Sequence, residues 1–351
     1  MRPPPAFAER LIAWQRRAGR HDLPWQGTRD PYRVWLSEIM LQQTQVATVR
    51  DYYARFLQRF PDVFALAQAP LDDVMALWSG LGYYSRARNL HRCARVVIGD
   101  HGGQFPTNAL ALQELPGIGA STAAAIAAFC FGERVSIADG NVRRVLTRLL
   151  AYGEDLAQTK AVRELEQLAQ ALLPDAPSAP DMVAYTQGLM DLGATVCTRA
   201  RPLCGECPMQ DICRGHALGE VGRFPLKTRK TARRFERWWL LLQVHAGQVW
   251  LERRPSNGIW AQLYAPPVHG SEAALLASLA PGTQATPGEP VKHALTHREL
   301  QLLPWWVHSP EVPVTTGTGG AWVPLSKALA LGLPAPVRLL LQPLADQPLP
   351  Q

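Results

Sequence analysis

Cysteine is scarce in this sequence. Six occur in 351 residues, which excludes the dense disulfide framework of small secreted domains. The opening Met1-Arg2-Pro3-Pro4-Pro5 lacks the apolar core of a secretory signal. No apolar run is long enough to cross a bilayer. A chain with these absences is expected in the cytoplasm, with reduced thiols and no membrane partner. Acids are also short: 29 Asp and Glu against 36 Lys and Arg leave a formal net charge of +7. The excess gathers at Lys227, Arg229, Lys230, Arg233, Arg234 and Arg237, against the single acid Glu236. This stretch reads as a linker that can lie along phosphates, or as a solvated linker that touches nothing.

Four of the six cysteines are neighbours. Cys197, Cys204, Cys207 and Cys213 follow the pattern C-x6-C-x2-C-x5-C. Structural zinc usually takes two paired knuckles with short gaps, and only Cys204 and Cys207 are that close. Iron–sulfur clusters accept wider spacing, so a [4Fe–4S] cluster is the favoured cofactor and zinc the alternative. Cys93 and Cys130 lie in apolar helical contexts and read as small buried hydrophobes.

Texture divides the chain. Leu36, Ile39, Met40 and Gln43 follow helical spacing, as do Thr122, Ala125, Ile126 and Phe129, and then Val142, Val145, Leu146 and Leu149. Few stretches alternate before the basic run. After it, residues 238–244 and 248–252 read as strands around a turn at Ala246-Gly247. Further strands are expected over 300–308 and 321–325, with a helix over 271–279. The fold class is therefore multi-domain, an all-α unit followed by a smaller α+β unit. The expected bounds are 1–224 for the helical domain, 225–235 for the basic interdomain linker, 236–345 for the α+β domain and 346–351 for a loose tail. No internal repeat is present.

Two carboxylates and a hairpin carry the chemistry. Leu115-Pro116-Gly117-Ile118-Gly119 joins two helices, and glycines there let the backbone turn and aim N–H groups at a phosphate. An ordinary helix–helix corner would look the same. Asp139 precedes Gly140-Asn141-Val142 at the start of the next helix. It suits an N-cap, and also an anion that stabilises a sugar cation during N-glycosidic cleavage. Glu38 sits in Trp35-Leu36-Ser37-Glu38-Ile39-Met40-Leu41. Desolvation among these apolar groups would raise its pKa and keep a proton available; a surface glutamate is the alternative. Gln42-Gln43-Thr44-Gln45 follows, offering paired donors and acceptors at a disrupted base pair, or plain surface polarity.

In this order, Leu23-Pro24-Trp25, residues 37–46, Gly80-Leu81-Gly82-Tyr83-Tyr84, the hairpin, Asp139-Gly140-Asn141-Val142 and the four cysteines resemble a known family. It is the MutY-type adenine DNA glycosylases of the helix–hairpin–helix superfamily, and the resemblance spans nearly the whole chain. It implies a monofunctional hydrolase of base excision repair that removes adenine mispaired with 8-oxoguanine or guanine and leaves an abasic site. By it, Glu38 protonates adenine at N7 and helps activate water, Asp139 stabilises the sugar cation and Asn141 supports this pair. Trp25, Leu41, Val46 and Gln187 line the pocket for the extruded base, and Ser121 belongs to the same pocket. Gln43 and Tyr83 enter the duplex. Gln42, Gly117, Gly119, Arg199 and Arg201 are further DNA contacts. Related bifunctional enzymes carry a lysine at the position of Ser121; a serine forms no Schiff base, so strand cleavage is expected to be weak or absent.

The C-terminal part resembles a Nudix fold without its acidic metal box, since Glu272 is the only acid between Gly258 and Gly282. The resemblance makes it a binding domain that recognises 8-oxoguanine through Leu295, Thr296 and His297, with Leu295 replacing the family's aromatic ring. The expected partner is double-stranded DNA with A:8-oxoguanine or A:G mispairs, bound by a monomer that associates with the nucleoid. Two other readings remain open. One is an endonuclease III-like pyrimidine-damage glycosylase with lyase activity; the other is a mispair-binding module without catalysis.

Overall fold

The computed structural model describes residues 4, 6–228, 233–308 and 319–345. Arg229 and Lys230 of the basic run, and the tail 346–351, lie outside the described residues. The chain forms two compact units, one of residues 1–67 with 92–230 and one of residues 68–91 with 231–351.

Helices build the first unit. In chain order they are α1 (Phe7–Ala18), α2 (Pro31–Leu41), α3 (Val46–Arg59) and α4 (Val63–Gln68). Then come α5 (Leu71–Trp78) of the second unit and α6 (Ser85–His101), which runs from the second unit into the first. The first unit continues with α7 (Ala109–Gln113), α8 (Ala120–Ile126), α9 (Gly140–Leu150), α10 (Thr159–Ala171), α11 (Ala179–Asp191) and α12 (Arg214–Ala217). Their starts are written in the sequence. Asp30 caps α2 with Pro31 behind it, and Ser178 and Asp181 form a capping box on α11. Apolar stripes then meet: Phe7 and Leu11 of α1, Val145, Leu146 and Leu149 of α9, Leu165 of α10 and Tyr185 and Leu189 of α11 share one buried core. Both α8 and α11 end in a single π turn, at Ala127–Phe131 and Leu192–Val196. Such turns widen a helix and re-aim side chains, often beside functional sites.

The second unit carries a mixed sheet. Its strands are β1 (Arg234–His245), β2 (Gln248–Arg253), β3 (Tyr264–Ala265), β4 (Val268–His269), β5 (Thr286–Pro287), β6 (Val291–Ala294), β7 (Arg298–His308) and β8 (Gly320–Pro324). The main path runs β3-β2-β1-β7-β5, with β4 on β1, β6 on β7 and β8 on β2. The β1–β7 pair is parallel from Arg234–Arg298 to Val244–His308. A hairpin through Ala246 (φ 45°) and Gly247 (φ 72°) joins β1 to β2, the left-handed pair that tight hairpins need. Helix α13 (Glu272–Ala277), capped by Ser271, packs Leu275 against Leu241 and Val307. Helices α14 (Leu325–Ala328) and α15 (Ala335–Ala345) close the unit. Residues 71–88 are tied in by hydrogen bonds: Ser79 and Tyr84 hydroxyls donate to Leu333 O, both at 2.9 Å. Arg253 and Tyr264 reach Asp72 at 2.8 and 3.0 Å. No helix among the described residues is long and apolar enough to cross a membrane.

Candidate active site

Helix α2 presents the first carboxylate. Its periodicity buries Val34, Trp35, Leu36, Ile39 and Met40, while Glu38 is half-buried and lines a cavity. The helix ends at Leu41, so the helical spacing that extended to Gln43 overshoots by two residues. Gln43 instead takes a left-handed backbone (φ 57°) between α2 and α3. This kink, uncommon outside glycine, turns Gln42, Gln43, Thr44 and Gln45 along the cavity wall.

Helix α9 presents the second. Asp139 Oδ1 accepts from the Val142 N–H at 2.7 Å. The residue is thus an N-cap and also a cavity-lining group. Asn141, two residues on, accepts through Oδ1 from Arg144 Nη2 at 2.9 Å. The same guanidinium donates to Gly193 O at 2.6 Å and Cys197 O at 2.9 Å. Gly193 is required here, because a Cβ on it would stand 2.8 Å from Asn141 Cβ.

One cavity of about 1240 Å³ gathers Trp25, Glu38, Leu41, Gln42, Gln43, Val46, Ser121, Asp139, Asn141 and Gln187. That is room for a nucleotide. Burial pushes the Glu38 carboxyl up to about 8, and the negative charge of Asp139 adds to the rise. A carboxylic acid that keeps its proton at neutral pH therefore shares a cavity with a second carboxyl group. Ser121 Oγ accepts from the Ala138 N–H at 3.3 Å, next to Asp139. Trp25 is fixed edge-on to Tyr53, ring centres 5.5 Å apart.

The helix–hairpin–helix corner lies between α7 and α8. Gly117 is left-handed (φ 80°), where a side chain would be strained, and Gly119 caps α8. Ile118 is buried beneath it. The four cysteines line a smaller cavity of the same unit with Arg148, Val196 and Leu203, and none is in a disulfide. Arg148 is almost wholly buried. It donates to Cys197 Sγ at 3.4 Å, Thr198 O at 2.7 Å, Arg199 O at 3.1 Å and Phe224 O at 3.2 Å, so it stitches α9 to this loop. Among the described residues no three Cys, His, Asp or Glu side chains converge tightly enough to hold one metal ion. Arg199 and Arg201 are exposed on the loop.

Tyr83 and residues 295–297 belong to the second unit. Tyr83 is exposed, left-handed (φ 48°) and within 3.1 Å of Thr296 Oγ1 through its hydroxyl. Arg86 lies over its ring, 5.5 Å from the centre. Sequence reasoning missed Arg20, Arg144, Arg148 and Asp191. Only Asp191 left a trace, as the lone acid in the apolar run 188–196.

The family comparisons bear on this geometry. A model described as the HhH-GPD superfamily of base excision DNA repair proteins matches residues 36–175, and a NUDIX domain model matches 238–343. A solved structure titled as a thermostable thymine-DNA glycosylase is 29% identical, with a TM-score of 0.55 over 61% of this chain and 96% of its own. The adenine DNA glycosylase of Mus musculus is 47% identical over 227 residues, 62% of this chain and 43% of that one. The adenine DNA glycosylase of Buchnera aphidicola subsp. Baizongia pistaciae is 32% identical over 339 residues, 94% of each chain. With its helical repair domain, its Nudix-like partner and a relative matched along almost its whole length, the chain belongs to the adenine DNA glycosylases.

Proposed function

We propose that this adenine DNA glycosylase acts on double-stranded DNA in which adenine is mispaired with 8-oxoguanine or guanine, and leaves an abasic site. The observation that carries the reading is the pair in one cavity: Glu38 with its pKa raised to about 8, and Asp139 at the cap of α9. The target bond is out of reach while the base is stacked, so the adenine must be extruded. Trp25, Leu41, Val46 and Gln187 then hold the base, and Gln43 and Tyr83 fill the space it leaves. Glu38 gives its proton to N7. The bond from N9 to the sugar breaks with its electrons passing to the neutralised base. The Asp139 carboxylate faces the resulting cation, and Asn141 supports that carboxylate from the same helix start. Water adds at the sugar carbon as its proton returns to Glu38. The Glu38 contribution is of the size expected for a positioned acid–base group, about 10²–10⁴-fold.

The remaining residues bind. Gly117, Gly119, Arg199 and Arg201 meet phosphates, Gln42 contacts the displaced pair, and Leu295, Thr296 and His297 read the opposite base. In this reading residues 1–224 are the catalytic domain and 236–345 the recognition domain, joined by 225–235, in a monomer of the cytoplasm. Ser121 offers no amine, so strand cleavage is weak or absent. The donor set of Cys197, Cys204, Cys207 and Cys213 suits a [4Fe–4S] cluster: a cubane takes one thiolate per iron and needs a wider ring than a single ion does. Bound there it would fix the loop 197–213 against α9, and no step of base removal runs through it. A brown protein with broad absorbance near roughly 400 nm is the expected signature.

The test is incubation of the chain with duplexes carrying A opposite 8-oxoguanine, G or T, followed by alkali to reveal abasic sites. Cleavage after alkali on the first two and not the third is expected. Equal activity on all three would overturn the substrate assignment.

A further inference from the structure

Glu38 alone does not explain a preference for adenine. Its proton goes to N7, an acceptor that adenine and guanine share. The two bases differ at position 6, where adenine offers an amino donor and guanine a carbonyl acceptor. Selection for adenine therefore needs an acceptor aimed at that position. Gln187 lines the cavity, but a glutamine has a donor end and an acceptor end, and either can face a ligand.

A buried carboxylate decides which end faces in. Asp191, one turn along α11, is wholly buried. Its Oδ1 accepts from Gln187 Nε2 at 2.8 Å and from Arg20 Nε at 2.7 Å, while Oδ2 accepts from the Arg20 N–H at 2.9 Å. The Arg20 guanidinium also pairs with Oδ1 through Nη2 at 2.7 Å. The backbone closes on the carboxylate at Gly19, where a Cβ would come within 3.0 Å of Oδ2. A carboxylate held by a guanidinium accepts and does not donate. The amide nitrogen of Gln187 must then point at Asp191, and its Oε1 is left on the cavity side.

We propose that Asp191 is a specificity-determining positioning residue: it locks the Gln187 amide so that Oε1 meets the 6-amino group of the extruded purine and turns away a 6-oxo group. Arg20 holds Asp191 in place and neutralises it. The inference rests on the reading of the cavity as the adenine site. Asp191 touches no substrate; it acts through Gln187.

Single-turnover excision from duplexes carrying adenine or hypoxanthine opposite 8-oxoguanine tests this, since hypoxanthine replaces the amino group by a carbonyl. Asp191→Asn can meet Gln187 with either end, which frees the amide to flip. The ratio of adenine to hypoxanthine excision should fall about tenfold or more, as a site loses its polar match. The double variant Gln187→Glu with Asp191→Asn exchanges amide and carboxylate, so the hydrogen bond survives and an acceptor again faces the cavity. It should restore the adenine preference. Equal slowing of both substrates by Asp191→Asn, with the ratio unchanged, would mean a merely structural role and overturn the proposal. Should the single variant fail to fold, the exchanged pair decides: adenine preference kept supports the lock, and preference lost overturns it. No adenine release by the unaltered chain would instead sink the reading of the site itself.

Discussion

Desolvation makes Glu38 costly to the fold, and in the proposed reaction it keeps the proton that is donated. The unfolded chain ionises it near the ordinary value of 4.5, whereas the folded cavity holds its proton up to about 8. The folded pKa is the higher one, so its contribution is fully present below 4.5 and is lost as pH rises through 8. At pH 7 the penalty is about 3 kcal/mol. Glu38→Gln removes it, so this variant should gain stability of that order in urea denaturation at pH 7 and lose excision by about 10²–10⁴-fold. A variant that is neither stabilised nor inactive would contradict both halves. Asp139 separates differently. Asparagine caps helices as well as aspartate, so Asp139→Asn should keep thermal stability within ~1 kcal/mol while excision collapses. Asp139→Ala should lose the cap as well.

Helix α9 and the π turn after α11 form one rigid junction. Arg144 spans from Asn141 to Gly193 and Cys197, and Gly193 leaves no room for a Cβ against Asn141. Gly193→Ala should therefore displace the start of α9 and slow excision by about tenfold or more, as positioning losses do, with mispair binding retained. Rates unchanged beside a normal melting curve would show that the junction tolerates the methyl. Much at this scale was legible. The apolar stripe of Val142, Val145, Leu146 and Leu149 marks α9, and Ser271 marks the start of α13. Gln43 was misread because its spacing continued the stripe of α2 after the backbone had left the helix. The two-residue strands β3, β4 and β5 carry no alternation of their own and exist through their partners. Helix α15 was hidden by its prolines, although Pro336 sits in the first turn, where a missing N–H costs nothing. The Arg20–Asp191 pair joins residues 171 positions apart, beyond any local pattern.

At the scale of the molecule, the chain forms two compact units. That residues 68–91 group with the C-terminal strands had no local signal, because hydrogen bonds such as Arg338 Nη2 to Ser79 Oγ at 2.9 Å cross most of the sequence. Within this unit Tyr83 meets Thr296, two residues singled out separately in the sequence. Thr296→Val keeps the shape and deletes the hydroxyl, so it should lower the preference for 8-oxoguanine over guanine opposite adenine severalfold without changing the excision step at saturation. An unchanged preference in competition between the two duplexes would remove Thr296 from the reader. The central claim is narrower: a protonated Glu38 drives base loss. Its most direct test is the pH profile of single-turnover adenine release by the whole chain from an A:8-oxoguanine duplex. The rate should be level near neutrality and fall as pH rises through about 8; a rate that climbs through this range would contradict the account.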